Sequence, residues 1–255
     1  MRSLLAYLGG KHLLAPKIVL RIPPHTCYCE VFAGAAWVLF TKEESKVEII
    51  NDINIDLVTL YRVVKHHLEE FIRYLKWILV ARDEFERFKK ENPETLTDIQ
   101  RAVRFYFLLK AGYSSKVKRP TFGISAQRPP RLNLLRIEED LSSVHLRLAR
   151  VYIENKPYAE LIRNFDRPGT FFYLDPPYYG HEKDYGDGIF FREDFEKLSN
   201  ILSAIRGKFL LSINDHPKTR EIFKGFRISK ERTIYTAGHA SSPHKTVTEL
   251  LISNY

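Results

Sequence analysis

Short apolar runs, rich in β-branched and aromatic residues, recur along the chain at Cys27 to Ala33, Val47 to Asn51, Val151 to Glu154, Thr170 to Leu174, Phe209 to Ile213, Ile228 to Tyr235 and Val247 to Ile252. Each has strand length, and helical spacing fills most of the gaps, as in Asp56 to His66, Arg192 to Ile205 and Lys218 to Phe223. This alternation predicts an α/β fold. The last two runs have no helix between them and predict an antiparallel hairpin at one edge of the sheet. Leu68 to Arg150 breaks the pattern. It lacks convincing strands and reads as several helices, including Leu68 to Lys89 and Arg101 to Ala111, the latter stopped by Gly112. The expected division is a sheet domain from residues 1–66 and 151–255, with a helical insertion at 67–150.

At 255 residues and 44% hydrophobic content the chain can bury a full core. No apolar stretch approaches the roughly 20 residues that span a bilayer, and the opening Met1 to Tyr7 is short for a secretory leader, so a cytoplasmic location and no membrane partner are expected. Cys27 and Cys29 lack the second ligand pair a zinc site needs; they read as buried thiols, and no metal is expected.

The net charge of +9 is concentrated. Between Ile99 and Ile137 there is no acidic residue, while Arg101, Arg104, Lys110, Lys116, Lys118, Arg119, Arg128, Arg131 and Arg136 are interleaved with Phe105, Tyr106, Phe107, Tyr113 and Phe122. Within the helix the aromatics also suit a core. From Tyr113 to Arg131 the Ser, Pro and Gly content predicts a loop or short hairpin, in which Tyr113, Lys116, Lys118, Arg119, Arg128 and Arg131 suit a phosphate-tracking surface or, more plainly, a solvated loop.

The most informative residues are Asp175-Pro176-Pro177-Tyr178, placed where the run Thr170 to Leu174 ends. In open α/β sheets, ligands bind at the carboxyl ends of strands. Two successive prolines fix φ and donate no N–H, so the Asp175 carboxylate and the neighbouring carbonyls become rigid acceptors. With an aromatic ring beside them they suit a flat substrate bearing an exocyclic amino group, such as adenine or cytosine. The plainer alternative is a Pro-Pro turn with Tyr178 covering the sheet edge. Earlier in the chain, Glu30 to Trp37 reads as strand, tight turn at Gly34 and helix start, and Asn51-Asp52 ends the next strand. An acid there accepts hydrogen bonds from ribose hydroxyls, which suggests an adenosine-containing ligand; capping of a helix near Ile53 would account for Asp52 equally simply.

With Gly9-Gly10-Lys11, Phe32-Ala33-Gly34-Ala35, Asn51-Asp52 and Asp175-Pro176-Pro177-Tyr178 in this order, the chain resembles the Dam-type family of DNA adenine-N6 methyltransferases over nearly its whole length. Leu211-Ser212-Ile213-Asn214-Asp215 and the tail Thr248 to Ile252 also match. The resemblance implies a Rossmann-like S-adenosylmethionine-dependent methyltransferase sheet with an inserted helical DNA-recognition domain. It also implies S-adenosylmethionine as cofactor, held by Tyr7, Gly9, Gly10, Lys11, Phe32, Gly34 and Asp52 and lying near Asp175, with Lys11 beside the methionine carboxylate. Asn155 and Tyr158 flank the cofactor adenine in this reading. The implied catalytic residues are Asp175, Pro176, Pro177 and Tyr178; the implied partner is double-stranded DNA from which one adenine is flipped. A restriction endonuclease is an admissible partner that the sequence does not specify.

Departures are local. Ala36 replaces the second turn glycine, which predicts a tighter helix start, and Ser114-Ser115 replaces a frequent Asn-Gly pair. The stretch Tyr113 to Phe122 is shorter than the base-reading hairpin of GATC-specific members, so their target sequence does not carry over. The rival readings are an RNA adenine or DNA cytosine-N4 methyltransferase with the same core, and a non-catalytic nucleic-acid-binding relative.

Overall fold

The fold is a computed structural model that describes residues 3–5, 11–113, 120–124, 132, 137–182, 188–235 and 245–255. The strand Thr170–Leu174 (β4) has no polar alternation, and every residue in it is buried. It therefore runs through the middle of a seven-stranded sheet, between β1 (Cys27–Glu30) and β5 (Lys208–Asn214). Beyond β1 lie β2 (Val47–Asn51) and then β3 (Val151–Glu154), all parallel. Beyond β5 lie β7 (Lys245–Ser253) and then β6 (Arg227–Tyr235), both antiparallel to their neighbours. The chain winds outward from β1 through β2 to β3, then returns to β4 and winds the other way. The crevice between the carboxyl ends of β1 and β4 is thus the point where strand order reverses, the place where ligands enter such sheets.

Alternate residues of each strand serve opposite faces. Tyr28, Ile50, Phe171 and Tyr173 join one hydrophobic cluster; Cys29, Ile49, Phe172 and Leu174 join the other. The second face is covered by α8 (Tyr158–Phe165) and α9 (Arg192–Ala204). The first is covered by α3 (Ile55–His66) together with the inserted helices α4 (Leu68–Lys76), α5 (Arg82–Lys90), α6 (Asp98–Ala111) and α7 (Ile137–Leu148). The insertion shares a continuous core with the sheet. A buried ion cluster reinforces the joint: Arg147 of α7 donates to the carboxylate of Glu48 on β2, which also receives Lys42.

The helix expected over Leu68 to Lys89 is two helices. The intervening Trp77-Ile78-Leu79-Val80 is a poor helix former, and the chain turns there to bury Ile78 while Trp77 and Leu79 stay exposed. Helix α6 begins earlier than expected because Thr97 and Gln100 form a reciprocal capping box. Gly112 does end α6, in an extended conformation, and a Cβ there would lie 2.5 Å from the Leu108 carbonyl oxygen, so the position requires glycine. Phe105, Tyr106 and Phe107 are core residues. Part of the basic run is also architectural, since Arg101 pairs with Asp56 of α3 and Arg104 donates to the Phe88 carbonyl at 2.7 Å. Among the described residues no helix is long and apolar enough to cross a membrane.

Candidate active site

At the carboxyl end of β4 the Asp175 side chain is anchored through one oxygen. Its Oδ1 is 3.0 Å from the Lys11 ammonium and accepts from the Ser212 hydroxyl of β5 at 3.2 Å; Ser212 is in turn bonded to Tyr173 at 2.8 Å. Among the described residues both contacts fall on Oδ1, which leaves Oδ2 for an incoming donor. Burial pushes the Asp175 carboxyl up to about 6, with Lys11 working in the opposite direction.

Lys11, 6% exposed, faces three acceptors: Asp175, the Tyr178 hydroxyl at 2.7 Å and Glu249 Oε1 of β7 at 2.5 Å. That is as many acceptors as an ammonium has N–H bonds. Burial disfavours its charge, but Asp175 and Glu249 outweigh this and hold its pKa well above the usual lysine value. The resemblance placed Lys11 beside a methionine carboxylate; its neighbours are the protein's own carboxylates. Tyr178, the expected stacking ring, also donates its hydroxyl to Glu249 at 2.6 Å.

The second wall of the crevice comes from the turn after β1. Gly34 sits at φ 47°, where a side chain would be strained, and its amide donates to Asp52 Oδ2 at 3.0 Å. The Asn54 amide donates to the other oxygen at 2.9 Å. Asn54, not Asp52, caps α3 through its own side chain, so helix capping does not account for Asp52. Burial raises the Asp52 pKa against the pull of the Asn54, Gly34 and Ile53 amides. Ala36 initiates α2 (Trp37–Thr41) at φ 49°, a left-handed position held by an alanine.

Phe32, Tyr158 and Phe190 form an aromatic cluster with ring centroids 5.8 to 5.9 Å apart. Tyr158 donates to Asp194 of α9 at 3.1 Å. Asn155, expected beside the same ligand, instead donates to the Asp52 carbonyl at 2.7 Å and braces the end of β2. Glu30 ends β1 on the cavity floor. Its Oε2 accepts from Tyr28 at 2.7 Å and from the Leu39 amide at 3.1 Å, and burial raises it to about 8. These groups enclose a cavity of about 300 Å³ that reaches from the aromatic cluster past Gly34 and Asp52 to Lys11 and Asp175.

Lys11, Phe32, Gly34, Asp52 and Asp175 thus meet around one cavity, with Pro177 in its wall. Tyr7, Gly9, Gly10, Lys116, Lys118, Arg119, Arg128 and Arg131 lie outside the described residues. Tyr113 is described beside an isolated bridge, where its amide donates to Thr121 at 2.7 Å and Gly112 pairs with Phe122. Phe122 packs on α5 against Phe85 and Arg82. Sequence reasoning gave no role to Glu30, Phe190, Ser212 or Glu249. For Glu249 a signal existed: a carboxylate inside an otherwise buried strand needs a partner.

The profile of the D12 class of N6 adenine-specific DNA methyltransferases matches residues 7–237. The chain is 26% identical to the type II methyltransferase M1.LlaDCHI of Lactococcus lactis subsp. cremoris, with all of this chain and 96% of that protein aligned. It is 26% identical to the DNA adenine methylase of Escherichia coli, over 98% of this chain and 94% of the other. With the type II methyltransferase M.MjaIII of Methanocaldococcus jannaschii it shares 28% identity over all of this chain and 99% of the relative.

Proposed function

Because the chain belongs to the D12 class of N6 adenine-specific DNA methyltransferases, and so methylates adenine in DNA at specific sites, we propose that its methyl donor is S-adenosylmethionine and that Asp175, Pro176, Pro177 and Tyr178 carry the transfer. The donor chemistry fits the crevice. Asp52, fixed by two backbone amides, suits vicinal ribose hydroxyls. The cluster of Phe32, Tyr158 and Phe190 suits a purine, and carboxylates near Asp175 suit a cationic centre. When bound, this cofactor supplies an electrophilic methyl group on a sulfonium sulfur. A cavity of about 300 Å³ lies at the lower end of the roughly 300–1,000 Å³ usual for small-molecule sites.

The observation that carries the assignment is the one-sided anchoring of Asp175. The adenine amino group is a poor nucleophile because its lone pair is delocalised into the ring. Oδ2 of Asp175 and the Pro176 carbonyl accept its two N–H bonds, which localises the lone pair toward the methyl carbon. Once N6 is methylated, Asp175 Oδ2 would take its surplus proton and pass it to solvent. Lys11 and Ser212 fix the carboxylate so that alignment is set before reaction. A base within a duplex cannot reach this crevice, so double-stranded DNA must present a flipped nucleotide, against which the Tyr178 ring stacks. The helices at 67–150 and the basic segment from Tyr113 to Arg131 hold the flanking DNA, and the reaction takes place in the cytoplasm.

Incubation with isotopically labelled S-adenosylmethionine and either duplex DNA or RNA, followed by nucleoside mass analysis, tests this. Labelled N6-methyladenine from DNA is expected; label in N4-methylcytosine or in RNA would overturn the substrate assignment. Replacing Lys116, Lys118 and Arg119 together by Ala should flatten the salt dependence of DNA binding by about 0.9 per lost phosphate contact while sparing cofactor binding. An unchanged slope would move the DNA interface elsewhere.

A further inference from the structure

We propose that Glu249 is a positioning residue for methyl transfer, which acts through Lys11 to leave the catalytic cluster with one negative charge in excess, facing the cationic methyl donor and the charge that develops on N6. The proposal rests on the assignment of S-adenosylmethionine and Asp175 above. Glu249 enters from β7, opposite Asn214 of β5, and is 2% exposed. Lys11 would be neutralised by Asp175 alone. It is met by a second carboxylate at 2.5 Å, and the same Glu249 oxygen also takes the Tyr178 hydroxyl at 2.6 Å. Among the described residues the formal count is one ammonium against two carboxylates, since burial raises Glu30 to about 8 and leaves it protonated at neutral pH.

An excess buried charge is costly unless something opposes it. Here Lys11 and Asp175 line the cavity that would receive a sulfonium. Without Glu249, the Lys11 charge would offset Asp175 entirely where positive charge has to accumulate on the reacting nitrogen. With it, Lys11 still fixes Asp175 geometrically and its charge is matched from behind. The charged and titratable groups that face Asp175 are Lys11 from the segment before α1 (Ala15–Val19), Glu30 from β1, Tyr173 from β4, Tyr178 from the turn after β4 and Glu249 from β7; Ser212 from β5 completes the set. Glu249 raises the proton affinity of Asp175, whereas Lys11 lowers it.

The test is Glu249→Gln, whose amide oxygen can still accept from Lys11 and Tyr178. Calorimetric titration of the full chain with S-adenosylmethionine and with S-adenosylhomocysteine, which is identical but for the charged methyl group, separates charge from shape. The variant should bind the first roughly tenfold more weakly and the second unchanged. In single-turnover assays the acid limb of its methylation rate should move to lower pH, since removing Glu249 eases ionisation of Asp175. Equal losses for both ligands, or an unmoved acid limb, would show that Glu249 only braces Lys11 and would overturn the proposal. Should Glu249→Gln fail to fold, the wild-type protein decides: its preference for the sulfonium ligand should rise between roughly pH 5 and 7 as Asp175 ionises, and a flat preference overturns the proposal. If the wild type bound neither ligand, the cofactor assignment would have failed instead.

Discussion

Asp52 and Asp175 stand at the ends of two strands of one sheet, both flank one cavity, and burial raises the pKa of each. Their surroundings differ in kind. Asp52 is held by the amides of Gly34 and Asn54, groups that carry no net charge and cannot titrate. Asp175 is held by an ammonium and a hydroxyl on side chains, and a second carboxylate stands behind the ammonium. A carboxylate that only grips a ligand needs a fixed frame. One that meets a changing charge needs neighbours whose charge can be balanced against it.

Replacing each residue should separate the two proposed roles. Asp175→Ala should lower the methylation rate by roughly 10²–10³-fold or more and, because it removes one of the two negative charges around Lys11, weaken S-adenosylmethionine while leaving S-adenosylhomocysteine unchanged. In the wild type the acid limb should fall near pH 6: below it Asp175 is protonated and loses its full acceptor strength, above it the carboxylate is available. Wild-type-like turnover of the alanine variant would remove Asp175 from the chemistry. Asp52→Ala should instead weaken both ligands alike, by roughly 1.5–3 kcal/mol in calorimetric titration, with saturated turnover largely kept. Unaltered affinity would show that the ribose lies elsewhere.

Smaller changes sharpen the contrast. Tyr178→Phe removes one hydroxyl from the cluster but keeps the ring, so a rate loss of about 1 kcal/mol is expected, whereas Tyr178→Ala should lose far more; radiolabel transfer that found the two variants alike would end the stacking role. On the Asp52 side, Ala36 holds a left-handed conformation at φ 49° that glycine adopts freely. Ala36→Gly should raise stability by about 1 kcal/mol in denaturant titration without altering the carboxylates.

Much of this architecture was legible in the chain. The bounds of β2, β3 and β4 follow from short apolar runs with turn residues at their ends, and the order of Gly34, Asp52 and Asp175 located the crevice. Local pattern failed where long-range packing decided. Trp77 to Val80 carries no Gly or Pro to mark a break, and its weak helix propensity becomes a turn where Ile78 is buried while Trp77 and Leu79 stay exposed. Ser212 and Phe190 look like ordinary interior residues until the fold brings them to Asp175 and Phe32. Lys11 could be recognised as important, but its partners could not: Glu249 lies 238 positions away.

That separation sets an order of events in the cell. The ammonium of residue 11 finds its second counter-ion only once β7 has been synthesised and has slid between β5 and β6. Contacts between such distant positions close late, because the intervening chain must first be ordered. A ribosome-bound chain arrested before β7 would carry the Gly34 turn and the Asp175 motif yet hold Lys11 without its second carboxylate, with Asp175 and the Tyr178 hydroxyl as the partners already made. The charge balance around Asp175 would then be completed only when the last strand joins the sheet.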